Sequence, residues 1–292
     1  MHLAEGLLPL ELAVGAAVLA VPFLLDGARA QRDHQQHASR ERRALAGLSG
    51  ALLFAFTLFP IPVPIVGVSS HLCVTPLLGI WLGPRLVVLP TTIVLLLQAL
   101  FFAHGGLTTL FANVLTLGVV GPWAAWAVFH LARRLGVAEL WAVGLAATVG
   151  DLSVYGSDTL LLAGALFGDR SYLSWVATIG LGLLPGQGPL AIIEGLASAA
   201  LYRGLVERRP QLRAAALSAW LMIFCFPATA AAFPGLDEAV FVRLSEEAGR
   251  PAASPVFDWE EGELGRFLLA MAAFTAGVVV GRRSLQLGAL KR

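Results

Sequence analysis

Long apolar stretches separated by short polar ones recur along the whole chain. They cover residues 7–25, 45–60, 66–83, 86–103, 107–132, 137–166, 172–203, 211–232 and 264–281. About twenty apolar residues is the length that an α-helix needs to cross the hydrocarbon core of a bilayer. The pattern therefore predicts an all-α, polytopic membrane helix bundle with about nine spans. The third stretch contains a Gly- and Ser-rich segment and is expected to begin as a non-helical loop.

Arginine placement orients these predicted spans. Basic residues cluster in the segments 29–43, 133–134, 203–213 and 282–292. With nine crossings and the amino terminus outside, every cluster falls on the cytoplasmic side, as does Arg85, in agreement with the positive-inside rule. The sequence thus predicts a multi-pass protein of the cell (inner or plasma) membrane, in contact with lipid, with its carboxyl terminus inside. On this topology Met1 and the loop that carries His71 face the same, extracytoplasmic side.

A polar break at 204–213, which contains Pro210, divides the chain into two predicted parts. Residues 1–205 form a seven-span unit, and residues 206–292 form a two-span module around an outside loop, 233–263. That loop carries eight acidic side chains, which either gather cations or are ordinary soluble surface: Asp237, Glu238, Glu246, Glu247, Asp258, Glu260, Glu261 and Glu263.

Composition narrows the possible functions. Of the 292 residues 57% are hydrophobic and 13% are charged, whereas a soluble domain is nearer a quarter charged. The net charge of +1 gives no support for nucleic-acid binding. The two cysteines, Cys73 and Cys225, sit in apolar surroundings and suggest no disulfide framework. Glu5 and Glu11 stand where a signal peptide would be basic, so the first apolar segment is expected to remain as an anchor.

The chain begins Met1-His2, and a free amino terminus followed by His is a metal chelator. The Met1 amine, the His2 backbone nitrogen and a His2 ring nitrogen can close two adjacent chelate rings, and the imidazole of His71 can fill the fourth position in the plane. Four planar nitrogens suit Ni(II), Cu(II) or low-spin Co(II) and suit Zn(II) poorly. The sequence therefore predicts a metal site of Met1, His2 and His71, provided that Met1 is retained.

Several other polar residues are candidates for the surroundings of that site. Asn113, after an outside turn, is expected to orient a metal-bound imidazole. His104 is a possible extra ligand or a plain loop histidine, Cys73 is a soft ligand or a packing residue, and Glu5 and Ser70 flank the two ligand segments.

Carboxylates also lie within the predicted spans, where ionisable groups are costly. Asp151 and Asp158, seven residues apart, share a helix face with Tyr155, and Glu194 follows Gln187 and the helix-kinking Pro189. Structural hydrogen bonding and a role in transport both remain open for them.

Together these segments resemble the CbiM/NikM family, the substrate-binding membrane components of cobalt and nickel energy-coupling-factor (ECF) transporters. The matching segments are Met1-His2-x-x-Glu5-Gly6-x-Leu8, Ser69-Ser70-His71 with Leu82-Gly83-Pro84, Leu97 to Asn113 around His104-Gly105-Gly106-Leu107-Thr108, Asp151-x-x-x-Tyr155, and Gln187-x-Pro189 to Gly195. The resemblance covers about the first 205 residues. The module 206–292 resembles the two-span partner CbiN/NikN by layout. Leu72–Pro76 and Phe111 depart from the family pattern.

The resemblance implies that the amino terminus folds back into the protein and that Met1, His2 and His71 hold the ion. It also implies an ATP-driven importer in which this chain is the substrate-capture subunit, partnered by a transmembrane scaffold (T) subunit and ATPase subunits. The chain has no phosphate-binding P-loop, and Lys291 is its sole lysine. We therefore expect no enzymatic activity and no permanent cofactor, with Co(II) or Ni(II) as the transported ligand. The alternatives are a stand-alone secondary cation transporter that uses the carboxylates within the spans and an intramembrane metal enzyme.

Overall fold

A computed structural model describes residues 2–58, 61–63, 66–102, 104–168, 170–206 and 234–254. Its long helices are α1 (Leu10–His37), α2 (Arg40–Leu58), α4 (Pro84–Phe101), α6 (Gly121–Arg134), α7 (Glu139–Ala165) and α8 (Tyr172–Val206). The shorter elements are β1 (Ile61–Val63), β2 (Val68–Ser70), α3 (Thr75–Leu82), α5 (Leu110–Asn113), a π-helical segment (Val114–Val120), a second one (Glu238–Val242) and α9 (Arg243–Glu247). The protein is therefore a helical membrane protein, as the apolar pattern predicts.

Four helices in the described part of the chain are long and apolar enough to cross a bilayer: Leu10–His37, Pro84–Phe101, Leu110–Arg134 and Tyr172–Gly204. Helix α7, with 27 residues, is long enough but also carries acidic residues. The predicted spans at 211–232 and 264–281 lie outside the described residues, so the total of nine stays a prediction.

Two stretches differ in detail from the predicted layout. The polar, arginine-rich segment between the first two apolar stretches is mostly helical, because α1 continues to His37 and α2 begins at Arg40. Ala, Arg and Gln favour helix, so an apolar helix readily extends into such a polar segment. The stretch 66–83 forms strand β2, a short extended segment and the eight-residue α3, because its Gly- and Ser-rich first half pairs as a hairpin.

Helices α7 and α8 pack closely through small residues. A Cβ placed on Gly195 of α8 would lie only 2.6 Å from the carbonyl oxygen of Gly144 on α7. Helix α7 approaches α3 as closely, because a Cβ on Gly150 would lie 2.7 Å from Cβ of Pro76. Close backbone approach of this kind is typical of helix pairs within membranes. It brings Asp151 on α7 and Glu194 on α8 into the same buried region.

Strands β1 and β2 form an antiparallel hairpin that leads directly into His71. The far side of β2 contacts the segment 234–254, since the backbone N–H of Ser69 donates to the carbonyl of Pro234 at 2.8 Å. From His71 the chain continues through α3 to Arg85, which is hydrogen-bonded to Asp26 near the middle of α1. The hairpin thus fixes His71 at one end of the bundle, beside the start of α1.

Candidate metal centre

Residues 2–8, ahead of α1, fold back into the protein. Leu3 is fully buried, and its backbone N–H donates to Oδ1 of Asn113 at 2.8 Å. Its carbonyl accepts from Nδ2 of Asn113 at 3.1 Å and from the hydroxyl of Thr109 at 2.5 Å. The Asn113 amide satisfies both backbone groups of one residue, as a neighbouring strand would. It therefore docks the amino-terminal peptide directly beside His2, while its expected role in orienting a metal-bound imidazole stays a prediction.

The turn before α5 holds the same peptide from its other side. The Glu5 carboxylate accepts from the backbone N–H of Leu107 at 2.6 Å, and Thr108 accepts from the backbone N–H of Gly6 at 3.1 Å. A Cβ on Gly106 would lie 2.6 Å from the backbone of Glu5, so only glycine permits this approach. The side chains of Thr108 and Thr109 both bind the amino-terminal peptide.

Three imidazoles meet where this peptide passes the hairpin. Ring centroids lie 5.4 Å apart for His2 and His71, 4.5 Å for His2 and His104, and 5.4 Å for His71 and His104. One nitrogen from each ring lies within 4.8 Å of the other two. His2 and His71 are buried, and His104 is partly exposed. The structure thus brings together two predicted ligands and the predicted extra one, while Met1 lies outside the described residues.

A chain of hydrogen bonds sets the tautomer of His2. The hydroxyl of Thr57 donates to the carbonyl of Leu53 at 2.7 Å, so its oxygen is free to accept from Nε2 of Gln98 at 2.6 Å. Oε1 of Gln98 is then the acceptor for Nε2–H of His2 at 3.1 Å. With the proton on Nε2, the lone pair of His2 is on Nδ1, which is buried and has no hydrogen-bond partner among the residues that the structure describes.

His71 shows the complementary arrangement. Its Nδ1–H donates to the carbonyl of Leu72 at 3.3 Å, a weak bond, and its buried Nε2 has no hydrogen-bond partner in the described part of the chain. Nε2 of His104 is also buried and unpartnered. Buried polar atoms are almost always hydrogen-bonded, so three orphaned imidazole nitrogens in one place indicate a missing ligand.

The rings of His2 and His104 are held neutral by burial. Burial lowers the pKa of His2 well below its ordinary value and lowers the pKa of His104 to about 4. Removal from water disfavours the charged imidazolium. A neutral imidazole is the form that binds a metal ion, so His2 and His104 are already in the ligating protonation state at neutral pH.

The rings open into a cavity of about 560 Å³. Its wall is shared by the amino-terminal peptide, the hairpin and the segment 234–254, which contributes Asp237, Glu238 and Phe241. Ala253 of that segment donates its backbone N–H to the carbonyl of Glu5 at 2.9 Å. The acidic segment therefore lies directly against the cavity.

The remaining predicted residues lie around this centre. The hydroxyl of Ser70 contacts the hydroxyl of Tyr155 at 2.9 Å and donates to Oε1 of Gln187 at 3.0 Å. These contacts attach the hairpin to α7 and α8. Cys73 does not join the imidazoles and lies instead beside Asp151 and Glu194. Gln98 is the residue that the sequence did not single out. The signal available in the sequence was a single amide side chain within an apolar helix. Its partner, His2, stands 96 positions earlier and could not be inferred from the sequence.

The chain matches a family model named CbiM, described as the cobalt uptake substrate-specific transmembrane region, over residues 2–212. The cobalt transport protein CbiM of Geobacter sulfurreducens is 33% identical, over 96% of this chain and 88% of that protein. The protein of the same name from Sorangium cellulosum is 40% identical, over 73% of this chain and 94% of its own length.

A crystal structure described as a truncated transition metal transporter superposes with a TM-score of 0.59. It is 19% identical and covers 72% of this chain and 100% of that one. At this level of identity the likeness concerns the fold.

Proposed function

This chain belongs to the CbiM family of cobalt-uptake transmembrane proteins, and from that premise we propose that it is the substrate-capture permease subunit of an ATP-driven ECF importer for cobalt or nickel. The ion binds at the imidazole cluster from the extracytoplasmic side and orders the amino terminus around itself. The family name supports cobalt, and the nitrogen-rich ligand set accommodates Ni(II) equally well.

One observation carries this proposal: the lone pair of His2 is on Nδ1. A chelate through the His2 backbone nitrogen and Nδ1 closes a six-membered ring, and the Met1 amine then closes the adjacent five-membered ring. Nε2 cannot close that ring, because it lies on the far side of the imidazole. The hydrogen bond from Nε2 of His2 to Gln98 therefore leaves free the nitrogen that the chelate requires.

His71 supplies the fourth nitrogen of the plane through its unpartnered Nε2. His104 approaches the same ion with its own Nε2, as an additional ligand outside the Met1–His2–His71 set. The folded-back peptide, clamped by Asn113 and Glu5, holds the chelate in place.

The segment 234–254 belongs, in our proposal, to a CbiN/NikN-like module fused in line after residue 205. Its described part covers the metal cavity and presents Asp237 and Glu238 to an entering cation. The match to the Geobacter relative spans 96% of the chain and so extends past residue 212, which supports a shared two-part layout.

Pumping in this scheme depends on partners. No P-loop occurs in the sequence, so ATP hydrolysis is assigned to separate ATPase subunits coupled through a T subunit in the membrane. Large apolar side chains cover the outer faces of several helices, among them Leu173, Leu181 and Ile192 on α8, and offer surface for lipid and for that scaffold.

A stand-alone cation transporter is the second candidate. The buried carboxylates of Asp151, Asp158 and Glu194 favour it, and among the described residues none of the three is paired with a Lys or Arg. Metal uptake that continues in cells without ATPase and T subunits would favour this candidate over the ECF scheme.

The proposal is tested by metal analysis of detergent-purified protein with a native amino terminus and a carboxyl-terminal tag. The matched variant carries two residues inserted between Met1 and His2, and His37→Ala, at the exposed end of α1, is the control. We expect about one Co or Ni per chain in the native protein and the control and almost none in the insertion variant. Equal metal in all three would remove the Met1 amine from the site.

A further inference from the structure

A second group of potential metal ligands begins two residues after His71, at Cys73. Sγ of Cys73 and one carboxylate oxygen each of Asp151 and Glu194 lie within 4.8 Å of one another. All three residues are almost completely buried, with 0%, 0% and 2% of their surfaces exposed. We propose that these residues form an inner site for a divalent transition-metal ion, with one thiolate and two carboxylates as ligands.

The charge balance of this cluster calls for a cation. Among the described residues, none of the three side chains is hydrogen-bonded or ion-paired to a Lys or Arg. Buried acids that lack a basic partner either retain protons or bind a metal ion. A divalent cation coordinates all three groups and balances two of their three negative charges, whereas a single basic side chain would balance only one.

The two carboxylates are already oriented. The backbone N–H of Cys73 donates to Oε2 of Glu194 at 2.8 Å, and that of Val74 donates to Oε1 at 2.7 Å. Nε2 of Gln187 donates to Oδ2 of Asp151 at 2.7 Å, while the buried Oδ1 of Asp151 has no hydrogen-bond partner among the described residues outside the cluster, where Cys73 and Glu194 lie beside it. Each carboxylate keeps lone pairs for a metal, and hydrogen bonds of this kind are what fix metal ligands in place.

The backbone at this point is strained. Val74 has a φ of +58°, in the left-handed region that β-branched residues rarely occupy. This turn makes the N–H groups of Cys73 and Val74 converge on Glu194. Such strain costs about 1–3 kcal/mol and concentrates at functional sites. Plain packing of an apolar loop would not require it.

The ligand set indicates the class of ion. Mg²⁺ and Ca²⁺ prefer oxygen ligands alone, whereas one thiolate with two carboxylates suits Co(II) or Zn(II). Metal–sulfur bonds of about 2.3 Å and metal–oxygen bonds of about 2.1 Å place tetrahedral ligands roughly 3.3–3.6 Å apart. The ligand atoms lie within 4.8 Å of one another, so closing the cluster onto an ion needs side-chain shifts of at most about 1 Å. Binding displaces the thiol proton.

The inner site adjoins the outer one. Cys73 follows His71 by two residues, so their Cα atoms are at most about 7 Å apart. Ser70 and Gln187 form a hydrogen-bonded link from the hairpin to Asp151. As a station that an imported ion reaches after leaving the imidazoles, the inner site rests on the proposed function. As a metal site it stands on its own geometry.

The test is a Co(II) titration of the full-length chain in detergent, followed by metal analysis and by near-ultraviolet absorption, where thiolate-to-Co(II) charge transfer is seen. Cys73→Ser is the test variant and Cys225→Ser the matched control. The insertion between Met1 and His2 removes the outer chelate independently. X-ray absorption on the cobalt-loaded native protein gives a readout that needs no variant, a Co–S distance of about 2.3 Å.

We expect a second equivalent of cobalt with a charge-transfer band that is absent in Cys73→Ser and retained in Cys225→Ser and in the insertion variant. No Co–S scattering in the native protein at saturating Co(II), or a band that survives in Cys73→Ser, would overturn the inner site. The two proposals fail separately: an insertion variant that keeps the first equivalent refutes the outer chelate, while the sulfur signal alone decides the inner site.

Discussion

Oε1 of Gln98 accepts a hydrogen bond from Nε2 of His2 across 3.1 Å, and this contact decides which imidazole nitrogen faces the cavity. Gln98 is itself held by Thr57, so the orientation of its amide is fixed from behind. Helices α2 and α4 thereby set the chemistry of a residue at the start of the chain. The relationship makes Gln98 a positioning residue, whose effect on metal binding can be measured.

Replacement of this amide should weaken the site without removing a ligand. We expect Gln98→Leu to lower metal affinity by about 10–100-fold, the usual effect of removing a group that orients a ligating histidine. Saturating metal should still give the native stoichiometry. Competition with a chromophoric chelator measures the affinity. Thr92→Val is the control, because the Thr92 hydroxyl donates to the carbonyl of Val88 in its own helix. Unchanged affinity in Gln98→Leu would show that the tautomer of His2 is set by something else.

His71 and His104 should contribute unequally to metal affinity. In the proposed plane His71 is the fourth nitrogen and His104 an additional ligand, so His71→Ala should lower affinity by well over 100-fold and His104→Ala by about 10-fold or less, within the range for supporting groups. The visible spectrum of the Ni(II)- or Co(II)-loaded protein should change in His104→Ala, because a ligand outside the plane alters the splitting of the d orbitals. Equal losses in the two variants would contradict a planar Met1–His2–His71 set.

Metal binding should weaken as the pH falls, in two stages. Burial holds the pKa of His104 at about 4 and that of His2 well below its usual value. These rings therefore stay neutral down to mildly acid pH, and protons begin to compete with the metal for their nitrogens only below it. Between about pH 7.5 and 5.5 the loss should come from the Met1 amine, whose ordinary pKa is about 8, and from the His2 amide.

This predicts the release of two protons per metal ion near pH 6.5. Calorimetric titration in buffers of different ionisation enthalpy measures that number, and the insertion variant between Met1 and His2 is the control. Release of no protons in the native protein would exclude the amine and the amide from the site.

The same shifts affect stability in the absence of metal. A histidine whose pKa is lowered on folding contributes stability above its unfolded pKa of about 6.5, and that stability is lost as the pH falls toward the folded value. The metal-free protein should therefore unfold at lower temperature as the pH decreases from about 6.5 to 4. His104→Phe should flatten this dependence, because it removes one titrating ring and keeps an aromatic side chain. Thermal unfolding monitored across that pH range tests it, and a pH dependence as steep as the native one would contradict it.

Gly106 is expected to be essential for docking the amino-terminal peptide. A Cβ there would meet the backbone of Glu5 at 2.6 Å, so Gly106→Ala must push the peptide and its chelate away from the turn. We expect almost complete loss of bound metal with the helical content retained. Gly156→Ala on α7 is the matched control, because a Cβ there meets nothing within 4 Å and alanine favours helix. Metal content and circular dichroism of the two proteins give the comparison.

The helices, the family and the candidate chelate could be predicted from local sequence. The apolar stretches predicted the helices because a bilayer requires backbone groups to bond within their own segment, and family membership, confirmed by the comparisons, followed from the motifs. Met1-His2 suggested its chelate because two chelate rings close within two residues. The ligand assignment of Met1, His2 and His71 stays a prediction, but two of these rings do meet.

Tertiary structure decided what depends on partners distant in sequence. The tautomer of His2 depends on Gln98, 96 positions away, and the docking of Leu3 depends on Asn113, 110 positions away. Cys73, which the sequence offered to the outer site or to packing, lies with Asp151 and Glu194, because the strained turn at Val74 and the close packing of α7 on α8 bring them together. Residue types and short spacings determined which ligand atoms the chain offers. Only the packing of the helices against one another determined which of these atoms lie close together.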